Sequence, residues 1–136
     1  MVIKVKKDLQ KKVETFLHSY PTKEEYGGYL FANRLGNISE FLVIPNVHAS
    51  RENTYLMPNT AKSLADKFAS ARKLSLVAEW HNHPTPAVCS IQDCRAAEYV
   101  SPLYSVMISP TGSGHYKKEF IWYFYKGIKP EKVVFV

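Results

Sequence analysis

The sequence predicts a mixed α/β fold, one β-sheet flanked by helices, within a single domain spanning residues 1–136. Three observations support this. Residues 74–80 (LSLVAEW), 103–109 (LYSVMIS) and 120–125 (FIWYFY) are strand-length runs rich in branched and aromatic side chains. Stretches of helical apolar period lie before and between such runs, so helices and strands interleave along the chain. Finally, 136 residues with 46% hydrophobic content can bury a substantial core, and no repeat, linker or low-complexity tract divides them.

Residues 5–18 read as the first helix, because Leu9, Val13, Phe16 and Leu17 form one apolar stripe and Pro21 follows. Residues 26–32 (YGGYLFA) and 38–44 read as strands joined through the turn residues Arg34-Leu35-Gly36-Asn37. Pro45 and Asn46 break the pattern, and residues 45–57 are irregular. Asn59 is a suitable N-cap for a second helix reaching about Lys73, with Leu64, Phe68 and Ala71 on its expected buried face. Residues 74–80 form a central strand ending at His81, and Pro84-Thr85-Pro86 form a loop. A third helix is expected from Ser90 to about Val100. It is followed by the strand 103–109, a Pro/Gly turn at 110–114, the aromatic strand 120–125 and a short closing strand at 133–136.

The formal net charge is +6, a sign compatible with nucleic acid, an anionic surface or an acidic protein partner. The lysines are dispersed apart from Lys4, Lys6, Lys7, Lys11 and Lys12, so a solvated basic face, or steering of an acidic protein, is the expected use. No apolar run reaches membrane-spanning length, and Met1-Val2-Ile3-Lys4 leads into lysines without a signal-peptide core. A cytoplasmic location is therefore expected, with neither nucleic acid nor membrane as partner. Two cysteines, Cys89 and Cys94, are too few for a disulfide scaffold.

The candidate chemistry lies in Glu79-Trp80-His81-Asn82-His83-Pro84. Alternate residues of an extended segment project to one side, so His81 and His83 can address a single ion. Asp93, in the first turn after Ser90, can supply a third ligand, leaving a fourth position for water as catalytic zinc requires. Ser90-Ile91-Gln92-Asp93 also matches a helix capping box. A closed site formed by His81, His83, Cys89 and Cys94 is a further alternative. Alternation places Glu79 on the side of His81, as a candidate partner for that ligand. His18, His48 and His115 are scattered, and Trp122 with the tyrosines around it reads as core packing.

Glu25-Tyr26-Gly27-Gly28, Trp80-His81-Asn82-His83-Pro84, Ser90 and Asp93 together resemble the JAMM (MPN-plus, JAB1/MPN/Mov34) zinc metalloprotease family. The likeness covers nearly the whole chain, roughly residues 1–127. Asn82 stands where the family pattern has serine or threonine, and the spacer from His83 to Ser90 is one residue shorter than usual. The resemblance implies an α/β (α+β) fold of cytidine-deaminase-like three-layer type. It also implies one zinc ion per chain, held by His81, His83 and Asp93, with Glu25 as general base and Ser90 as oxyanion donor. By the same resemblance the substrate would be a ubiquitin-like or SAMP-like modifier, cleaved after its C-terminal diglycine by a desampylase-like enzyme, monomeric or homodimeric. The alternatives are a non-catalytic MPN-type assembly module, or a peptidase acting on a sulfur-carrier protein tail or a small peptide. Gly27-Gly28 is expected to mark a sheet edge over which an extended substrate tail passes.

Overall fold

The computed structural model describes residues 2–19, 24–48, 55–83, 103–111, 119–127 and 129–136. In chain order the elements are β1 (Val2–Val5), α1 (Lys7–Ser19), β2 (Gly27–Ala32), β3 (Ile38–Ile44), α2 (Ala61–Arg72), β4 (Ser75–Asn82), β5 (Tyr104–Pro110), β6 (Phe120–Lys126) and β7 (Lys129–Phe135). The third helix expected from Ser90 lies outside the described residues.

The strands form one mixed sheet in the order β1-β3-β2-β4-β5-β6-β7, closed by parallel pairing of β7 with β1. Hairpin neighbours pair antiparallel, whereas β4 and β5 run parallel, with Trp80 opposite Val106 and Asn82 opposite Ile108. Closure depends on β1, whose four residues VIKV are too short to stand out as a strand by pattern alone. Its alternation places Ile3 and Val5 in the core, so residue 5 ends a strand rather than starting α1. β7 is longer than residues 133–136. Pro130 fits near its start because it pairs there with Tyr125 of β6, while pairing with β1 involves Lys132 to Phe135.

Two apolar clusters lie on opposite faces of the sheet. In the first, Leu9, Val13 and Leu17 of α1 pack with residues such as Leu30, Trp80, Val106, Ile108 and Phe124. The predicted stripe of α1 is therefore the buried one. In the second, α2 packs on Tyr29, Phe31 and Ile44. Its buried stripe is Ala61, Ala65 and Ala69, with Phe68 partly buried, while Leu64 is 54% exposed and Ala71 is also exposed. The expected face of Leu64, Phe68 and Ala71 is thus shifted around the helix. Alanines allow a close approach to a sheet face already filled by aromatic side chains, and Phe68 stacks on Phe31 at 4.7 Å between centroids.

The N-cap of α2 is Thr60 rather than Asn59, and no side-chain capping bond forms there. At its other end Lys73 adopts a left-handed conformation (φ 56°), and the following Leu74 N–H donates to the Ala69 carbonyl at 2.9 Å. This is the way a helix ends when its last carbonyls must be satisfied. No helix among the described residues is long and apolar enough to cross a membrane.

Candidate metal centre

β4 is the strand that builds the site. Trp80 and Ala78 project into the core on the α1 side, so the intervening residues Glu79 and His81 face the α2 side. The strand runs through His81 to Asn82, ending at the histidines as expected, and the His83 N–H still donates to the Ile108 carbonyl of β5 at 3.0 Å. His83 is thereby held in the extended geometry that lets it share a side with His81.

Antiparallel pairing of β2 with β4 brings the distant carboxylate to this point. Gly27 lies opposite His81, and Glu25 is two residues upstream of Gly27. Ligand atoms of Glu25, His81 and His83 all lie within 4.8 Å of one another. Glu25 is 4% exposed, whereas its neighbour Glu24 is only partly buried, which separates the site carboxylate from the ordinary one.

The two Nε2 atoms are 3.3 Å apart, with ring centroids at 5.2 Å. Two nitrogens each about 2.0–2.1 Å from one tetrahedral zinc would stand roughly 3.3–3.4 Å apart. The histidine pair therefore has the spacing that a shared ion demands, although an imidazole–imidazole hydrogen bond in one tautomer has a similar length. A carboxylate within 4.8 Å of these nitrogens is close enough to bind the same ion or to meet a water on it. Two neutral imidazoles with carboxylate chemistry nearby form a donor set suited to a divalent transition metal. Ser90, Asp93, Cys89, Cys94 and His115 lie outside the described residues. Among the described residues, the sequence-expected site is thus represented by Glu25, His81 and His83, which the fold brings together.

Behind His81, Glu79 stands opposite Tyr29, and burial raises its carboxyl above the usual glutamate range. The Tyr29 phenol is pushed up to about 12, by burial first and then by the Glu79 and Asp66 carboxylates. Tyr55 is raised too, chiefly by burial. Its hydroxyl donates to the Ile44 carbonyl at 2.7 Å, and its ring covers Gly27.

The glycine pair has a different role from the one expected. β2 lies between β3 and β4 and is paired on both sides, so Gly27-Gly28 is not a sheet edge. A Cβ at Gly28 would collide with the backbone carbonyl of Leu42, and one at Gly27 would meet the Trp80 carbonyl and the Tyr55 ring. The neighbouring strand and a tyrosine fill the space that the expectation left for a substrate tail.

Two asparagines of the site carried no such role in the sequence reading. The Asn82 side-chain oxygen accepts from the Tyr26 N–H at 2.5 Å, and the Asn46 carboxamide donates to the Glu25 carbonyl at 3.0 Å. Asn46 was legible only as a strand breaker. An asparagine shortly after a strand signals local backbone bonding, but nothing in the sequence indicates a partner 21 residues away.

The chain matches the family model described as prokaryotic homologs of the JAB domain over residues 9–124. No curated protein sequence matches it significantly. Among solved structures, a Desulfitobacterium hafniense protein determined in solution is similar with a TM-score of 0.75 at 21% identity, covering 100% of this chain and 93% of that one. A Salinibacter ruber protein gives 0.60 at 21%, covering 98% and 92%. A JAB1/MPN domain protein from Archaeoglobus fulgidus gives 0.55 at 13%, covering 98% and 97%. At these identities the likeness establishes the fold.

Proposed function

The chain belongs to the family of prokaryotic homologs of the JAB domain, and on that premise we propose that it is a zinc-dependent isopeptidase or peptidase. Its substrate is a ubiquitin-like, SAMP-like modifier or conjugate, cut after the C-terminal diglycine. The observation that carries this reading is the convergence of buried Glu25, more than fifty residues upstream and just before β2, on the His81–His83 pair. A hydrolase needs a base in that position.

His81 and His83 would hold the metal, with Asp93 as the proposed third ligand. Zinc, when bound, supplies Lewis-acid polarisation of the scissile carbonyl and lowers the pKa of water toward about 7. Glu25 accepts the proton of the attacking water and delivers it to the departing amine. Its burial shields that transfer from bulk solvent. Ser90 is proposed to donate to the developing oxyanion. The net charge of +6 favours encounter with an acidic modifier in the cytoplasm.

The test is incubation of the zinc-loaded protein with a diglycine-linked modifier conjugate, with and without chelator. Cleavage that needs metal and is abolished by Glu25→Ala supports the assignment. Cleavage surviving Glu25→Ala removes the base from Glu25. No cleavage by the wild type under any metal condition favours the non-catalytic assembly module, and turnover only of a sulfur-carrier tail or small peptide redirects the substrate class.

A further inference from the structure

Glu25 lies in the segment just before β2, outside any helix or strand. Its position is nevertheless constrained from two sides. Asn46 Nδ2 donates to the Glu25 carbonyl at 3.0 Å, and Asn82 Oδ1 accepts from the next residue's N–H, that of Tyr26, at 2.5 Å. The Asn82 N–H returns a bond to the Tyr26 carbonyl at 2.9 Å, so residue 26 is held through both of its backbone polar groups.

Both carboxamides have determined orientations. Asn46 Oδ1 accepts from the N–H groups of His48 (3.0 Å) and Leu56 (3.2 Å), so its nitrogen is the end that reaches Glu25. Asn82 is 8% exposed and lies between the two histidines, with its side chain on the opposite side of the strand from theirs. The strand that presents both histidine nitrogens thus also grips the backbone beside Glu25, one residue from each.

We infer that Asn46 and Asn82 are positioning residues that clamp the Glu25 segment against β4 and so set the distance between Glu25 and the histidine pair. The catalytic side of this inference rests on the proposed hydrolase reading, whereas the clamp does not. Neither asparagine needs to touch substrate or metal. Loss of either bond loosens a segment whose displacement by about 1 Å can cost about 100-fold in rate. The metal-binding nitrogens, held by the β4–β5 and β4–β2 ladders, stay in place.

Asparagine-to-aspartate exchange separates the two arms of the clamp. Asn82→Asp keeps an oxygen to accept from Tyr26, whereas Asn46→Asp keeps the bonds to His48 and Leu56 but sets a carboxylate oxygen against the Glu25 carbonyl. Asn82→Leu removes the Tyr26 bond at similar volume. Amide hydrogen exchange of the metal-free protein reads the clamp without any activity. Protection of the Tyr26 amide should persist in wild type and Asn82→Asp and fall by about 100-fold in Asn82→Leu, with Leu30 unchanged. Equal Tyr26 protection in all three proteins overturns the clamp, whatever the activity. On a cleaved conjugate, Asn46→Asp should lower kcat by about 100-fold with KM within about threefold, and its cobalt(II) absorption spectrum should move toward that of Glu25→Gln. Wild-type kcat and spectrum in a folded Asn46→Asp protein overturn the positioning role. An inactive wild type with the predicted exchange pattern overturns the hydrolase reading and leaves the clamp standing.

Discussion

Replacing Gly28 with alanine adds one methyl group at a place where only backbone is available to move. Its Cβ would collide with the Leu42 carbonyl oxygen, with the Leu42 carbonyl carbon at 2.8 Å and the Ile44 nitrogen at 3.1 Å. Gly28 pairs with Val43 on one side and Trp80 on the other, so neither neighbouring strand can retreat without breaking its own ladder. Overpacking of a tight site costs about 1–3 kcal/mol. Separating β2 from β3 locally would sacrifice about two backbone hydrogen bonds, each worth about 0.5–1.5 kcal/mol net. The total, about 2–6 kcal/mol, is a large part of the roughly 5–15 kcal/mol typical of a domain. For a chain of this length it corresponds to a fall of roughly 7–20 °C in Tm. Gly36→Ala is the control: nothing lies within 4 Å of its Cβ, and only the φ of 80° opposes alanine, at a cost of about 1–2 kcal/mol. Thermal and urea unfolding of both variants provide the comparison. A Gly28→Ala protein melting within about 2 °C of wild type would refute the close-approach argument. If that protein also lost diglycine cleavage, the glycine would belong to a substrate groove after all.

Zinc at 100 times its Kd should stabilise the wild type by about 2.7 kcal/mol, and His81→Ala or His83→Ala should abolish the calorimetric shift. Burial holds the Glu79 carboxyl above its ordinary range, so folding stability falls as pH rises from about 4.3 through the folded-state value. In metal-free protein, Glu79→Gln should therefore raise Tm at pH 7, with the advantage vanishing below about pH 4; an equal advantage at both pH values would count against burial as the cause. Trp122→Phe removes the 2.9 Å bond from the indole N–H to Glu14, which ties β6 to α1. It should cost about 1–2 kcal/mol in urea unfolding, and less if Glu14→Gln is already present.

The strands β2 to β6 were legible because branched and aromatic runs bounded by Gly, Pro and Asn leave few alternatives, and α1 because its apolar stripe has one period. The candidate site was legible in part for the same reason: His81 and His83 need only local alternation to share a side. β1 was hidden by its length of four residues and by the lysines around it. The buried face of α2 differs from expectation because apolar size points to Leu64, whereas the helix approaches the sheet through Ala61, Ala65 and Ala69 with Phe68 beside them.

The sequence by itself determined the alternation of helix and strand, the histidine pair and, through the family resemblance, the carboxylate that belongs with it. Periodicity is a local property that each segment carries with it. Only the tertiary structure decided that β1 and β7 close the sheet, that Gly27 and Gly28 make room for Leu42 and Tyr55, and that Asn46 and Asn82 grip the backbone beside Glu25. Each of these depends on register between segments far apart in the chain. Register is set by how whole faces pack against one another, and no residue pattern within one segment records it.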